Sequence, residues 1–115
     1  MKISASVYEP MYEYNGKMYI RFLIPENISK KIYTVHLYKQ HLLTTSGTPD
    51  NPLEGNILKV KVPFRYRRVM CEVKGKPIQS LVRGDEVEIE TEFKGYWNVG
   101  NHSGFTWILK SSEYI

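Results

Sequence analysis

The chain has 115 residues and a mass of 13.5 kDa, with 42% hydrophobic residues, 24% charged residues and a formal net charge of +4. This length and composition predict a single domain over residues 1–115. No run of eighteen apolar residues and no signal-peptide pattern occurs, and Cys71 is the single cysteine. We therefore expect a cytoplasmic protein without membrane contact, internal disulfide or cysteine zinc site.

The N-terminal segment predicts a β-hairpin with strands at about 3–14 and 17–24. Asn15-Gly16 separates the two runs, and both residues tolerate the positive φ of a tight turn. The second run alternates, which gives it an apolar face that begins at Met18 and ends at Ile24. The outward face of this hairpin carries aromatic and cationic side chains, namely Tyr12, Tyr14, Lys17, Tyr19 and Arg21.

The next segment carries two competing signals. Asn27 could cap a helix, but the run from Ile32 to Val35 is rich in residues that favour strands, and we predict a strand at 31–39. Residues 40–56 are dense in Gly, Pro, Asn and Asp and predict a long loop. The histidines show no metal-ligand spacing and are interpreted as surface or loop residues: His36, His41 and His102.

A strongly basic segment follows. Residues 57–76 contain seven lysines and arginines and one acidic residue, Glu72. The alternation predicts one long strand, in which Phe64 and Tyr66 share the apolar parity and either fill the interior or remain outside as stacking groups. The parity changes at Arg67-Arg68, which indicates a β-bulge that bends the strand.

The C-terminal third predicts two strands. Residues 76–82 allow at most one helical turn, and from Glu86 a glutamate on every second position alternates with apolar residues, as in a half-buried strand. A polar, glycine-rich loop at 95–104 surrounds Tyr96 and Trp97. In the last strand Trp107 is predicted to lie in the core. Five or six strands with at most one short helix predict a small closed all-β barrel, with a sandwich as the alternative.

The chain resembles the OB-fold single-stranded DNA-binding protein family, mainly over residues 63–115. The matching stretches are RRVMCEVKGK, IQSLV, RGDEVEIETEF, YWNVGNHSG and FTWIL. They correspond to the family's long third strand, short helix, Gly-Asp turn with fourth strand, aromatic loop and last strand, while Asn15-Gly16 matches its first hairpin. The resemblance implies a five- to six-stranded OB-like barrel. A compact viral, phage or plasmid-encoded member would have this form, in the host cytoplasm if viral.

Residue types in this chain suit the binding of single-stranded DNA, which needs cations for phosphates and flat rings for unstacked bases. For Trp97 the alternative is a cap over an open end of the barrel. The acidic strand is expected outside the binding surface, because its carboxylates would repel phosphates. The predicted nucleic-acid-binding residues are Tyr12, Tyr14, Lys17, Tyr19, Arg21, Lys59, Lys61, Arg65, Arg67, Arg68, Lys74, Lys76, Lys94, Tyr96 and Trp97.

The predicted function is binding of single-stranded DNA without sequence preference, in DNA replication or recombination. An RNA-binding OB domain is a near alternative. A β-rich protein–protein interaction module, or a viral structural or inhibitor module, is the alternative from another class. A homo-oligomer is compatible with each. No Ser-His-Asp spacing, glycine-rich phosphate loop or metal ligand set occurs in the sequence, so neither an enzyme nor a cofactor is expected.

Overall fold

A computed structural model describes residues 1–43 and 49–115. Two 3₁₀ turns, Gln40–Leu42 and Ile78–Ser80, accompany the main elements. The elements in chain order are β1 (Lys2–Tyr14), β2 (Lys17–Leu23), α1 (Glu26–Lys39), β3 (Leu53–Glu54), β4 (Ile57–Val62), β5 (Phe64–Arg65), β6 (Arg68–Val69), β7 (Glu72–Lys74), β8 (Glu86–Val99) and β9 (His102–Tyr114). Within these residues, no helix is both long and apolar enough to cross a membrane.

Five strands close into a barrel in the order β1, β2, β4, β9, β8 and back to β1. The pairings are antiparallel except between β4 and β9, which run parallel where Lys61 lies opposite Ile108. Register shifts along β1 and β8 mark bulges that allow these long strands to bend around the core. The predicted OB-like barrel is confirmed, and the sandwich alternative is excluded by this closure.

The predicted hairpin and the predicted strand faces are confirmed. Asn15 and Gly16 both have positive φ, of 52° and 77°, and the apolar parity of β2 is inside. On β8 the inward positions are Val87, Ile89 and Thr91, while the alternating glutamates face solvent. The short helical turn predicted in 76–82 is the 3₁₀ turn, which buries Ile78. The largest fully buried core side chains include Ile3, Ile20, Phe22, Ile32, Leu58, Ile89 and Leu109.

The strand predicted at 31–39 is wrong, because this segment lies within helix α1. Pro25 is extended at the N-cap, and its carbonyl accepts hydrogen bonds from the N–H groups of Ile28 and Ser29. Ser29, Ile32 and His36 are buried at helical spacing, so the interpretation of His36 as a surface or loop residue is wrong. Burial of this stripe against the barrel outweighs the preference of Ile, Tyr, Thr and Val for strands, which is small and depends on context.

The long bulged strand predicted over the basic segment is also wrong. β4 ends at Val62, and the chain then forms a separate hairpin, β5–β6, before β7. We call residues 63–70 the finger. Its turn is Tyr66-Arg67, at φ values of 54° and 61°, so the parity change reflects a two-residue turn. Phe64 and Tyr66 therefore lie outside the barrel, with 39% and 84% of their surface exposed.

The structure contains regular elements at both of the predicted loops. At 95–104 there is a hairpin, because β8 continues to Val99 and β9 begins at His102. Gly100 supplies the left-handed conformation in its turn, with φ of 58°. The loop predicted at about 40–56 lies partly outside the described residues, and its described parts contain the 3₁₀ turn Gln40–Leu42 and strand β3.

Candidate nucleic-acid interface

The outer surface of β1, β2 and β4 gathers seven of the predicted binding residues. Cross-strand register fixes their positions: Tyr12 lies opposite Tyr19, Tyr14 opposite Lys17, and Tyr19 opposite Lys61. Because directly opposite residues share one side of a sheet, these side chains line a common wall. We call this wall the aromatic-basic face; its members are Tyr12, Tyr14, Lys17, Tyr19, Arg21, Lys59 and Lys61.

Two tyrosine rings form the centre of the aromatic-basic face. The rings of Tyr12 and Tyr19 have centroids 5.9 Å apart with a tilt of 32°. The ammonium of Lys59 lies 5.1 Å from the centroid of the Tyr19 ring, within the range of a cation–π interaction. Partial burial raises the pKa of both phenols, so the rings stay neutral at physiological pH and add no negative charge.

Two cations of the face are paired with acidic side chains. Arg21 lies 3.6 Å from Glu9 and 3.4 Å from Glu54, and Lys59 lies 3.4 Å from Asp50. All three carboxylates are substantially exposed, so the pairs contribute little to stability. The pairs link Arg21 on β2 to residues of β1 and β3, and they link Lys59 on β4 to Asp50.

Three other lysines form a positive cluster. Lys17, Lys61 and Lys94 have no carboxylate within 4 Å in the part of the chain that the structure describes. Partial burial lowers the pKa of Lys61, and the charges of Lys17 and Lys94 lower it further. The Lys61 ammonium is therefore repelled by both neighbouring charges, and an anion bound beside it would relieve that repulsion.

Trp97 lies on the hairpin formed by β8 and β9, close to Asp50, the partner of Lys59. It lies opposite Gly104 and is partly exposed. A Cβ atom at Gly104 would lie 2.9 Å from Cζ2 of Trp97 and 2.7 Å from the backbone oxygen of Asp50. The indole therefore packs directly over the glycine, beside the residue that pairs with Lys59.

Tyr96 is directed to the other side of the same hairpin. It lies opposite Phe105, which is buried. It also shares its side with Asn98, whose amide donates a 3.1 Å hydrogen bond to the carbonyl of Leu42 at the end of the α1 region. Tyr96 is 49% exposed, but it faces away from the surface that carries Trp97.

The remaining predicted residues lie elsewhere. Arg65, Arg67 and Arg68 belong to the finger. Lys74 lies 3.8 Å from Glu72, and Lys76 forms a 2.6 Å ion pair with Asp85. The Lys76 ammonium, with the backbone N–H of Val82, holds the pKa of the Asp85 carboxyl below its ordinary value. The structure thus separates the predicted set into the aromatic-basic face with its flank, the finger, and a region near β7.

The glutamates of β8 lie on another wall of the barrel, whereas Glu9, Glu54 and Asp50 border the aromatic-basic face itself. Strand β8, which carries the glutamate row, is separated from β2 by β1 on one side and by β9 and β4 on the other. Glu88 lies opposite Ser4, Glu90 lies opposite Lys2, and Glu92 pairs with Lys110 at 3.4 Å. A shallow groove on this wall is lined by charged residues of both signs, among them Lys2, Glu72, Lys74, Glu88, Glu90 and Glu113.

One contributor is absent from the sequence prediction. The ring of Tyr8 lies between two guanidinium groups, 5.1 Å from Arg21 and 4.7 Å from Arg83. These contacts extend the aromatic-basic face along β1 toward the turn that precedes β8. The even-numbered parity that Tyr8 shares with Tyr12 and Tyr14 was the signal for it in the sequence, and Tyr8 itself lies at the register shift between Val7 and Glu9.

The side chains of the aromatic-basic face and of the lysine cluster are suited to binding a ligand. Over residues 1–43 and 49–115, no group of three or more His, Cys, Asp or Glu side chains is arranged to hold a metal ion. Neutral rings beside unpaired ammonium groups can accept stacked bases and phosphates. Comparison with protein-family models, curated proteins and solved structures found no match.

Proposed function

We propose that this protein binds single-stranded DNA without sequence preference, through the aromatic-basic face. The observation that carries the proposal is the register that places the rings of Tyr12 and Tyr19 and the side chain of Lys61 in one row, with no carboxylate within 4 Å of Lys17, Lys61 or Lys94 among the described residues. Phosphates would lie against the lysines, and bases would stack on the tyrosines and on Trp97. Both kinds of contact tolerate any base, since every base has a π face and every nucleotide a phosphate.

The separation of charge supports a single-stranded polyanion as the ligand. A strand that crosses β1 at Tyr12 and Tyr14 lies away from residues 2–6, the part of β1 that pairs with residues 86–90 of the glutamate row, and approaches β8 at Lys94. Arg21 and Lys59 are already paired with Glu9, Glu54 and Asp50. Lys17, Lys61 and Lys94 would therefore be the principal phosphate contacts. Stacking contributes about 1–3 kcal/mol per base, so contact with two or three rings would favour unpaired strands over a duplex.

Titration of a fluorescein-labelled oligo-dT at several salt concentrations tests the proposal. We expect binding whose logarithmic affinity falls linearly with the logarithm of the salt concentration, with a slope near −0.7 per neutralised phosphate. Tryptophan and tyrosine fluorescence should be quenched in parallel. Absence of binding to oligo-dT, or an affinity that does not change with salt, contradicts the proposal.

The same assay separates the competing ligands. Oligo-U of equal length tests RNA binding, and a duplex of equal length tests whether unpaired bases are required. A poly-glutamate peptide of matched charge tests an acidic protein surface, which has no bases to stack. Binding of the peptide as tight as that of oligo-dT would favour a protein–protein interaction module instead.

A further inference from the structure

The finger is a separate two-stranded hairpin that follows the end of β4. It follows Lys61 by two residues, and its base is closed by a 2.8 Å hydrogen bond from the N–H of Met70 to the carbonyl of Pro63. Its two short strands pair Phe64 with Val69 and Arg65 with Arg68. The finger is therefore a defined hairpin next to the lysine cluster.

The turn of the finger has an unfavourable sequence for its conformation. Tyr66 and Arg67 both adopt left-handed backbone angles, at φ of 54° and 61°. Such turns favour Asn-Gly, which this chain uses at Asn15-Gly16. Bulky residues in this conformation are strained, and strained residues cluster at functional sites. The strained turn at Tyr66 and Arg67 therefore makes the tip a candidate contact.

Side chains of the finger are exposed and carry one sign of charge. Arg65, Arg67 and Arg68 have no carboxylate within 4 Å among the described residues. The Tyr66 ring at the tip is 84% exposed, and Phe64 at its base is exposed as well. A ligand that satisfies this surface must supply both negative charge and flat faces.

We propose that the finger is a second, separable contact for the same nucleic-acid strand, with Tyr66 stacked on a base and the three arginines bound to phosphates. This inference rests on the proposed function of the aromatic-basic face. A strand bound at Lys61 lies close to the start of the finger, because Phe64 follows the end of β4 after one residue. The finger thereby lengthens the segment of nucleic acid that one protein molecule covers.

Oligonucleotides of two lengths distinguish the two contacts. Single OB folds cover roughly 4–16 nucleotides, so oligo-dT of about 5 nucleotides can occupy one contact and oligo-dT of about 16 can occupy both. The double variant Tyr66→Asn/Arg67→Gly installs a favourable turn, so its melting temperature should equal or exceed that of the wild type. Its affinity for the longer oligonucleotide should fall about tenfold to a hundredfold, with unchanged affinity for the shorter one.

A charge-matched pair of triple variants completes the test. Arg65→Gln/Arg67→Gln/Arg68→Gln should reduce the salt slope for the longer oligonucleotide by about 2. Lys30→Gln/Lys31→Gln/Lys39→Gln removes equal charge from the exposed face of α1 and should leave the slope at the wild-type value.

Each other outcome overturns the inference in a recognisable way. Unchanged affinity of both finger variants for the longer oligonucleotide means that the finger makes no contact. Equal loss for both lengths means that it is not a separable contact. A change in oligomeric state in sedimentation, without a change in affinity, assigns the finger to contacts between copies. Failure of the wild type to bind either length instead contradicts the proposed function itself.

Discussion

The indole Nε1–H of Trp107 donates a 2.9 Å hydrogen bond to Nε2 of His36, and this contact joins the last barrel strand to α1 inside the core. The imidazole also stacks on Phe105, with ring centroids 4.6 Å apart and nearly parallel planes. Because Nε2 accepts the bond, the imidazole is neutral and carries its proton on Nδ1. Protonation of Nε2 would break the contact.

Stability should therefore depend on the protonation of His36. Burial lowers the pKa of His36 from 6.5 to about 4, with a smaller opposing effect of Asn51. Between these two values the unfolded chain binds more protons than the folded protein, so the contribution is complete above pH 6.5 and is lost as the pH falls toward 4. We expect a loss of roughly 3 kcal/mol in the free energy of unfolding, measured by urea denaturation.

Variants separate this effect from the titration of the carboxylates. His36→Gln keeps an acceptor for Trp107 but does not titrate in this range, so its unfolding free energy should fall less between pH 7 and pH 4. His41→Gln changes an exposed histidine and should follow the wild-type curve. Identical pH profiles for His36→Gln and the wild type would show that His36 does not control acid stability.

Tyr19 should be the strongest single stacking residue of the aromatic-basic face, since it contacts both Tyr12 and Lys59. Tyr19→Ala is expected to weaken oligo-dT binding by about 1–3 kcal/mol, while Tyr19→Phe retains the ring and most of the affinity. Fluorescence anisotropy measures both. Tyr33→Ala removes a ring that is 59% exposed on α1 and serves as the control; an equal loss in that variant would refute a localised site.

The absence of a side chain at Gly104 allows Trp97 and Asp50 to lie close together. Gly104→Ala introduces a Cβ atom 2.7 Å from the Asp50 backbone oxygen, and the neighbouring backbone must shift. We expect the free energy of unfolding to fall by about 1–3 kcal/mol, with altered tryptophan fluorescence. Trp97→Ala, which truncates a partly exposed side chain, should destabilise less and should weaken oligo-dT binding. If Trp97→Ala unfolds the protein, Trp97 acts as a structural cap.

Sequence patterns predicted the elements whose conformation depends mainly on neighbouring residues. Period-two alternation located β2 and β8, and the Asn15-Gly16 turn located the first hairpin, because in each case the neighbouring residues alone fix the outcome. α1 escaped prediction because burial of Ile32 and His36 against the barrel depends on distant strands. The finger escaped because Tyr66-Arg67 contradicts the usual turn chemistry.

The candidate site was predictable only as a set of residue types. Outward parity selected Tyr19 and Lys61 correctly as surface residues, but the sequence does not reveal that they are cross-strand partners. Nor does the sequence reveal that Lys76 forms an ion pair with Asp85, whereas none of the described carboxylates pairs with Lys61. Such distinctions arise from strand register and from the closure of the barrel, which bring together residues distant in the sequence.

The most direct measurement of the central claim compares two charge-matched variants in salt-dependent oligo-dT titrations. One variant is Lys17→Gln/Lys61→Gln/Lys94→Gln, and the other is Lys30→Gln/Lys31→Gln/Lys39→Gln on α1. We predict that the first binds at least about tenfold more weakly, with a salt slope reduced by about 2, and that the second behaves as the wild type. Equal effects of the two variants would mean that only net charge matters, and would contradict a binding site at the lysine cluster.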